Sequence, residues 1–134
     1  ALQMCLNLIK REPSDLFELL EALPAAWADH AVASVYATLI PADRRKRLGA
    51  YFTPPHLVNH LLSRLASCGL DPVRHRLRDP AAGGAAFLVP LARIKVSAWK
   101  KQGLADSEIV RRLRVHLVGR EIEPDLAMIA NALL

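Results

Sequence analysis

Residues 79–88, DPAAGGAAFL, set one acid and a run of very small side chains directly ahead of an apolar, helix-like stretch ending near Lys101. Such a composition suits the sharp turn by which a buried strand passes into a helix. Small side chains there let the main chain fold back tightly, and let a ligand or a neighbouring element touch backbone. Residues 74–79 ahead of the turn are expected as a strand, a poor one with Leu77 alone among charges, and Phe87 to Lys101 as the helix. Pro90 falls in the first turn of that helix, where a missing amide donor costs nothing.

The same punctuation organises the rest of the chain. Asp106 or Ser107 is expected to cap a short helix reaching Leu113; VHLVGREI, residues 115–122, reads as the best strand, and Pro124 opens a last helix. From Leu70 onward the order strand, helix, helix, strand, helix is the rhythm of a right-handed crossover in a parallel sheet. Upstream the pattern is helical. One helix is expected from Ser14 or Asp15 to a stop at Pro24, and another from Asp29 to Ile40, closed by Pro41, the two antiparallel. PADRRKRLGAYF, residues 41–52, reads as a basic connector. Thr53 is expected as the cap of a helix with Pro54 at its first position, an apolar stripe of Leu57, Val58, Leu61, Leu62 and Leu65, and Gly69 as its end.

A 134-residue chain that is 52% hydrophobic has the means to build one packed core. No apolar run approaches the ~20 residues that span a bilayer. The first residues, ALQMCLNLIKREP, show neither a basic leader nor a small-residue cleavage site, so the expected address is the cytoplasm. Starting at Ala and stopping in NALL, the chain is expected to be a piece of a larger protein. Cys5 and Cys68 are too few and too far apart for a disulfide framework.

Charge is uneven: residues 1–42 carry two basic groups against five acids, residues 43–134 sixteen against eight. The basic groups cluster as RRKR at 44–47, RHRLR at 74–78 and RRLR at 111–114, a distribution that suits a phosphate-bearing partner or, equally, solvated faces. With only 5% aromatic residues, base stacking is a poor candidate for the main binding mode.

Three stretches carry candidate chemistry. Asp79, Pro80, Ala81, Ala82, Gly83 and Gly84 fit a ligand turn, with the acid suited to an ammonium group; tight packing on a helix explains the same residues. The spacing is neither the dinucleotide glycine pattern nor a P-loop. Glu121, at the end of the second strand, suits a ribose diol. Thr53, with the helix amides that follow it, suits a carboxylate. His56 and His60 stand four apart without a third ligand, so no metal site is expected, and no serine lies in a nucleophile elbow. Trp27 and Trp99 are expected to pack.

Taken together and in this order, GAYFTPP (49–55), DPAAGGAAFL (79–88) and GREIEPDLA (119–127) resemble the amino-proximal part of the S-adenosylmethionine-dependent adenine-specific DNA methyltransferases of restriction and modification systems. That family shows G-x-Y/F-x-T-P, D-P-A-C-G-S-G-x-F-L and G-x-E-I-D-P-x-A in these places. The resemblance implies an α/β fold: a helical lead-in over 1–48, then over 49–134 the start of a doubly wound, Rossmann-like parallel sheet, mostly helical as a fragment. It implies S-adenosylmethionine as cofactor, with Thr53 by its methionine end and Asp79, Pro80, Ala81, Ala82 and Gly83 along its amino acid part. Glu121 would hold the ribose hydroxyls, and Ile122 would lie against the adenine.

Two departures bear on activity. Ala82, Gly84 and Ala85 replace the family's Cys, Ser and Gly, and a methyl group at 85 is expected to crowd the cofactor. The catalytic N/D-P-P-Y/F, which orients the adenine amino group and stacks the flipped base, occurs nowhere; the only Pro-Pro, 54–55, follows Thr53. The chain alone is therefore expected to bind cofactor weakly, to bind DNA weakly and without sequence preference, and not to methylate. The remainder of a methyltransferase chain is an expected partner, as is a second copy pairing through exposed sheet edges. The rival reading is a non-catalytic, basic helical interaction module whose cofactor site has decayed.

Overall fold

The computed structural model describes residue 18 and residues 20–134. The helix expected from Ser14 or Asp15 to Pro24 lies largely outside them, as does Cys5. Helix α1, Ala25–Leu39, begins behind Pro24, four residues before Asp29, because Ala25 and Ala26 are strong helix formers and Pro24 presents its carbonyl to Trp27 N (2.8 Å) and Ala28 N (3.1 Å). Pro41 follows its end as expected. The basic connector is not irregular: Ala42–Leu48 forms a short helix, α2, with Asp43 in its first turn, three basic residues in its last and Gly49 in the left-handed region at φ 61°.

Helix α3, Pro55–Ser67, is capped by Pro54 and not by Thr53, whose side chain makes no capping hydrogen bond. Pro54 already holds the extended conformation a cap needs, and Pro55 takes the first helical position. Of the expected stripe only Val58 is fully buried; Leu57, Leu61 and Leu65 are 40–50% exposed.

Strands β1, Leu77–Asp79, and β2, Leu117–Gly119, pair in parallel with Leu77 opposite Leu117 and Asp79 opposite Gly119. Both are shorter than the sequence suggests. Ahead of β1, Asp71 Oδ1 accepts hydrogen bonds from Val73 N (2.8 Å) and Arg74 N (3.1 Å), holding a turn where strand was expected. Between the strands run α4, Leu88–Lys101, and α5, Asp106–His116. The latter continues past Leu113 and takes Val115 and His116 from the expected strand. Ala105 occupies its cap position, which leaves Asp106 and Glu108 in the first turn, where carboxylates meet the free amides favourably. Helix α6, Pro124–Leu133, closes the described chain.

The core gathers where the turn after β1 enters α4: Ala82, Ala85, Leu88, Val89 and Ala130 are buried, with Leu117 and Leu133 against them. Helix α1 packs on α3 and α6, and α4 packs on α5 and β2. The molecule is thus mostly helical around a two-stranded parallel sheet. Among the described residues no helix is long and apolar enough to cross a membrane.

Candidate functional site

At the carboxyl ends of both strands the chain leaves the sheet in two loops that bond to each other. Arg120 N donates to Asp79 O (2.9 Å), and Ala82 N donates to Arg120 O (2.8 Å), so the ladder runs one step into the turn. Asp79 turns its carboxylate back on its own loop, Oδ1 accepting from Ala81 N at 3.1 Å. Glu121 reaches across: Oε2 accepts from Gly83 N (2.8 Å) and Oε1 from Glu123 N (2.9 Å). One acid therefore ties the turn after β1 to the turn after β2.

The small residues of the turn have neighbours that demand them. A methyl group on Gly84 would collide with the Ala33 side chain of α1, and the Phe52 ring lies against both Gly83 and Gly84. A methyl on Gly119 would stand 2.7 Å from Leu88 Cδ1 and 3.0 Å from Ala82 Cβ. Ala82 is itself in the core. Ala85 has φ 61°, a left-handed backbone that costs a non-glycine residue roughly 1–2 kcal/mol, and is wholly buried. The similar family has glycine there, as this conformation favours. Ala85 belongs to the buried core cluster and also borders the cavity lined by Thr53.

A cleft of about 160 Å³ opens between these loops and the segment ahead of α3. Pro80, Ala81 and Gly83 line one side, Glu121 and Ile122 another, and Tyr51 and Phe52 a third. Ile122 is 83% and Tyr51 66% exposed, two large side chains at the cleft that stand mostly open to solvent. Five of the eight residues picked out from the sequence therefore share one cleft. Ala82 lies in the core, and neither it nor Asp79 lines the cleft. Thr53 lines a separate, mainly apolar cavity of about 40 Å³ with Asp29, His30 and Arg93. Phe52 separates the two.

The model of the N-6 DNA Methylase family matches residues 28–131. The chain belongs to that family. The match begins inside α1, ahead of residue 49, so the second lead-in helix belongs to the family's shared region. Searches of curated proteins and of solved structures returned no match.

Sequence reasoning missed Glu123. It is buried, accepts from Arg44 Nη2 at both oxygens (2.9 and 3.1 Å) and receives the Tyr36 hydroxyl at 3.4 Å, so it pins α1 and α2 to the loop entering α6. An acid just before Pro124, far in sequence from the RRKR run, carried no local sign of that pairing. Burial, with Asp125 and Glu123 nearby, pushes the Tyr36 hydroxyl pKa up. In the Thr53 cavity, Asp29 pairs with Arg93 at 2.7 Å. His30 is held below its ordinary pKa, first by burial and then by the nearby His56. Among the described residues no cluster of His, Cys, Asp or Glu is suited to hold a metal ion. Cys68 is a free, exposed thiol.

Proposed function

We propose that the chain is the amino-proximal part of an S-adenosylmethionine-dependent adenine-specific DNA methyltransferase of restriction–modification type, with 1–48 as helical lead-in and 49–134 as the start of the doubly wound cofactor-binding domain. The observation that carries this reading is the meeting of three separate sequence stretches, 49–52, 80–83 and 121–122, on one cleft beyond the carboxyl ends of a parallel sheet, where open α/β folds bind ligands.

The residues present fit the cofactor. Each Glu121 oxygen accepts one backbone amide and keeps a second lone pair, so the carboxylate retains capacity for two ribose hydroxyls. Ile122 and Tyr51 offer apolar cover to a purine. Pro80, Ala81 and Gly83 bring main chain to the amino acid part, with Asp79 ahead of them in the chain and Ala82 in the core. Thr53 would meet the methionine end only across Phe52. When bound, S-adenosylmethionine supplies the sulfonium methyl group. Pro80, Ala81, Gly83, Glu121 and Ile122 would hold it; the groups that would orient adenine belong to the motif this sequence lacks. DNA, the remainder of a methyltransferase chain and a cytoplasmic setting go with this reading, and a second copy paired at a strand edge is compatible with it.

One observation favours the rival, a basic module with a decayed site: the turn's small residues and both Glu121 oxygens already have structural uses. Photolabelling with radioactive S-adenosylmethionine separates the two. The methylase reading expects label in the peptides containing Tyr51 or Ile122, displaced by the demethylated product. Label elsewhere, or none, supports the decayed module.

A further inference from the structure

Two of the basic clusters, distant in sequence, meet at the other end of the sheet. Because Leu77 pairs with Leu117, Arg76 and His116 enter the two strands side by side. Helix α5 sets Arg111 and Arg112 one turn behind Val115 and His116, on the same face. These residues line a pocket of about 210 Å³ at the amino ends of the strands. Three residues of strand, roughly 10 Å, separate that level from the cofactor cleft.

Two of the guanidinium groups, those of Arg111 and Arg112, are held in place. Glu108 accepts from Arg111 Nε and Nη2 and from Arg112 Nε, each at 2.8 Å. Arg112 also lies 5.9 Å over the buried Trp99 ring, whose edge contact with His116 spans 5.3 Å between centroids. Both Nη atoms of Arg112 and Nη1 of Arg111 have no acceptor among the described residues, nor has the Arg76 guanidinium. Two guanidiniums fixed on one carboxylate and the exposed Arg76 thus line the pocket, three positive charges to one negative.

We infer that this pocket binds a phosphodiester group of a nucleic-acid backbone, at a place separate from the cofactor cleft. Guanidinium forks match phosphate oxygens, and two neighbouring forks favour a doubly charged stretch of backbone over a single carboxylate. Trp99 is buried and does not line the pocket, and the ring that does, the half-buried His116 imidazole, already stands edge-on to Trp99. Binding there is therefore blind to sequence. The choice of a nucleic acid over another polyanion rests on the methylase reading.

Anisotropy of a short fluorescent DNA duplex, measured without cofactor across a salt series, tests it. The double variant Arg76→Gln, Arg111→Gln should bind about tenfold more weakly at low salt, with the salt slope reduced by about 0.9 for each phosphate that is no longer neutralised. A control with equal charge loss on exposed residues elsewhere, Lys46→Gln with Arg64→Gln, should lose much less. Glu108→Gln frees both guanidiniums and should tighten binding, a gain that damaged folding cannot produce. Equal losses in the two double variants, or no gain from Glu108→Gln, would overturn the inference. So would competition by inorganic phosphate strong enough to assign the pocket to the free ion. Cofactor plays no part in this experiment, so a failure of the photolabelling would strike the methylase reading and leave the phosphate site standing.

Discussion

Gly84 has a hydrogen where any other residue would drive a carbon into Ala33, and the close approach joins the turn after β1 to α1. Gly84→Ala should therefore cost about 1–3 kcal/mol through overpacking, seen as a lower urea midpoint at unchanged slope. Lys95 shows the opposite kind of dependence. Wholly buried on α4, its ammonium donates to Val73 O (3.1 Å) and His75 O (2.8 Å) and lies 5.6 Å from the Trp99 ring centroid. Lys95→Met keeps the stem but strands two carbonyls, at roughly 1–3 kcal/mol each, and should destabilise the chain more than any exposed lysine change. The glycines and the acid at Asp79 and Glu121 were legible in sequence, because a turn needs small residues whatever occupies it. Lys95 was not. A lysine in a helical run reads as solvated until the fold brings carbonyls from another segment over it.

At the scale of elements, helix α5 carries a pH signature. Arg111 and Arg112 hold the Glu108 carboxyl at about 2, against an ordinary 4.5. A carboxylate with a lowered folded-state pKa adds stability above its unfolded value and loses that contribution as pH falls from about 4.5 through about 2. A carbonyl-carbon NMR titration of Glu108 should show its midpoint well below those of the exposed acids, and Arg111→Gln should raise it. Two half-buried histidines act in a higher window. His30 and His116 are both lowered, chiefly by burial, so the unfolded chain binds their protons more readily and stability declines as pH drops below about 6.5. Thermal melts between neutral pH and pH about 5 should show that decline, and His116→Gln should flatten it. The end of α1 before Pro41 and the start of α6 at Pro124 were readable from sequence, since proline fixes its own φ and lacks a donor, whereas the starts of α1 behind Pro24 and of α3 at Pro55 were not. Nor were the strand limits and α2. A charged run such as ADRRKRL has no apolar face to announce a helix, and α5 overran the expected strand because propensity does not register the packing of His116 against Trp99.

Over the whole molecule, membership of the N-6 DNA Methylase family and the parallel pairing of β1 with β2 agree with the order of elements read from the sequence. That order was legible because three motifs, each weak alone, kept their spacing. What the sequence did not disclose is that Thr53 sits behind Phe52, in a different cavity from Glu121. Without the asparagine- or aspartate-led Pro-Pro motif the chain should transfer no tritium from labelled cofactor to adenine-containing DNA. Losing all orientation of a poor nucleophile forfeits an effective concentration on the order of 10⁵ M. The central claim is that the cleft between Tyr51, Gly83 and Ile122 receives S-adenosylmethionine, and calorimetric titration of its demethylated product into the chain tests it most directly. Ile122 is largely exposed and holds nothing in the fold, so Ile122→Ala should keep the melting temperature while weakening binding several-fold, by about 1–2 kcal/mol of lost apolar cover. Weak, saturable binding by the natural chain and a weaker isotherm for Ile122→Ala are the expected results; no heat of binding, or equal affinity in the two, would contradict the claim.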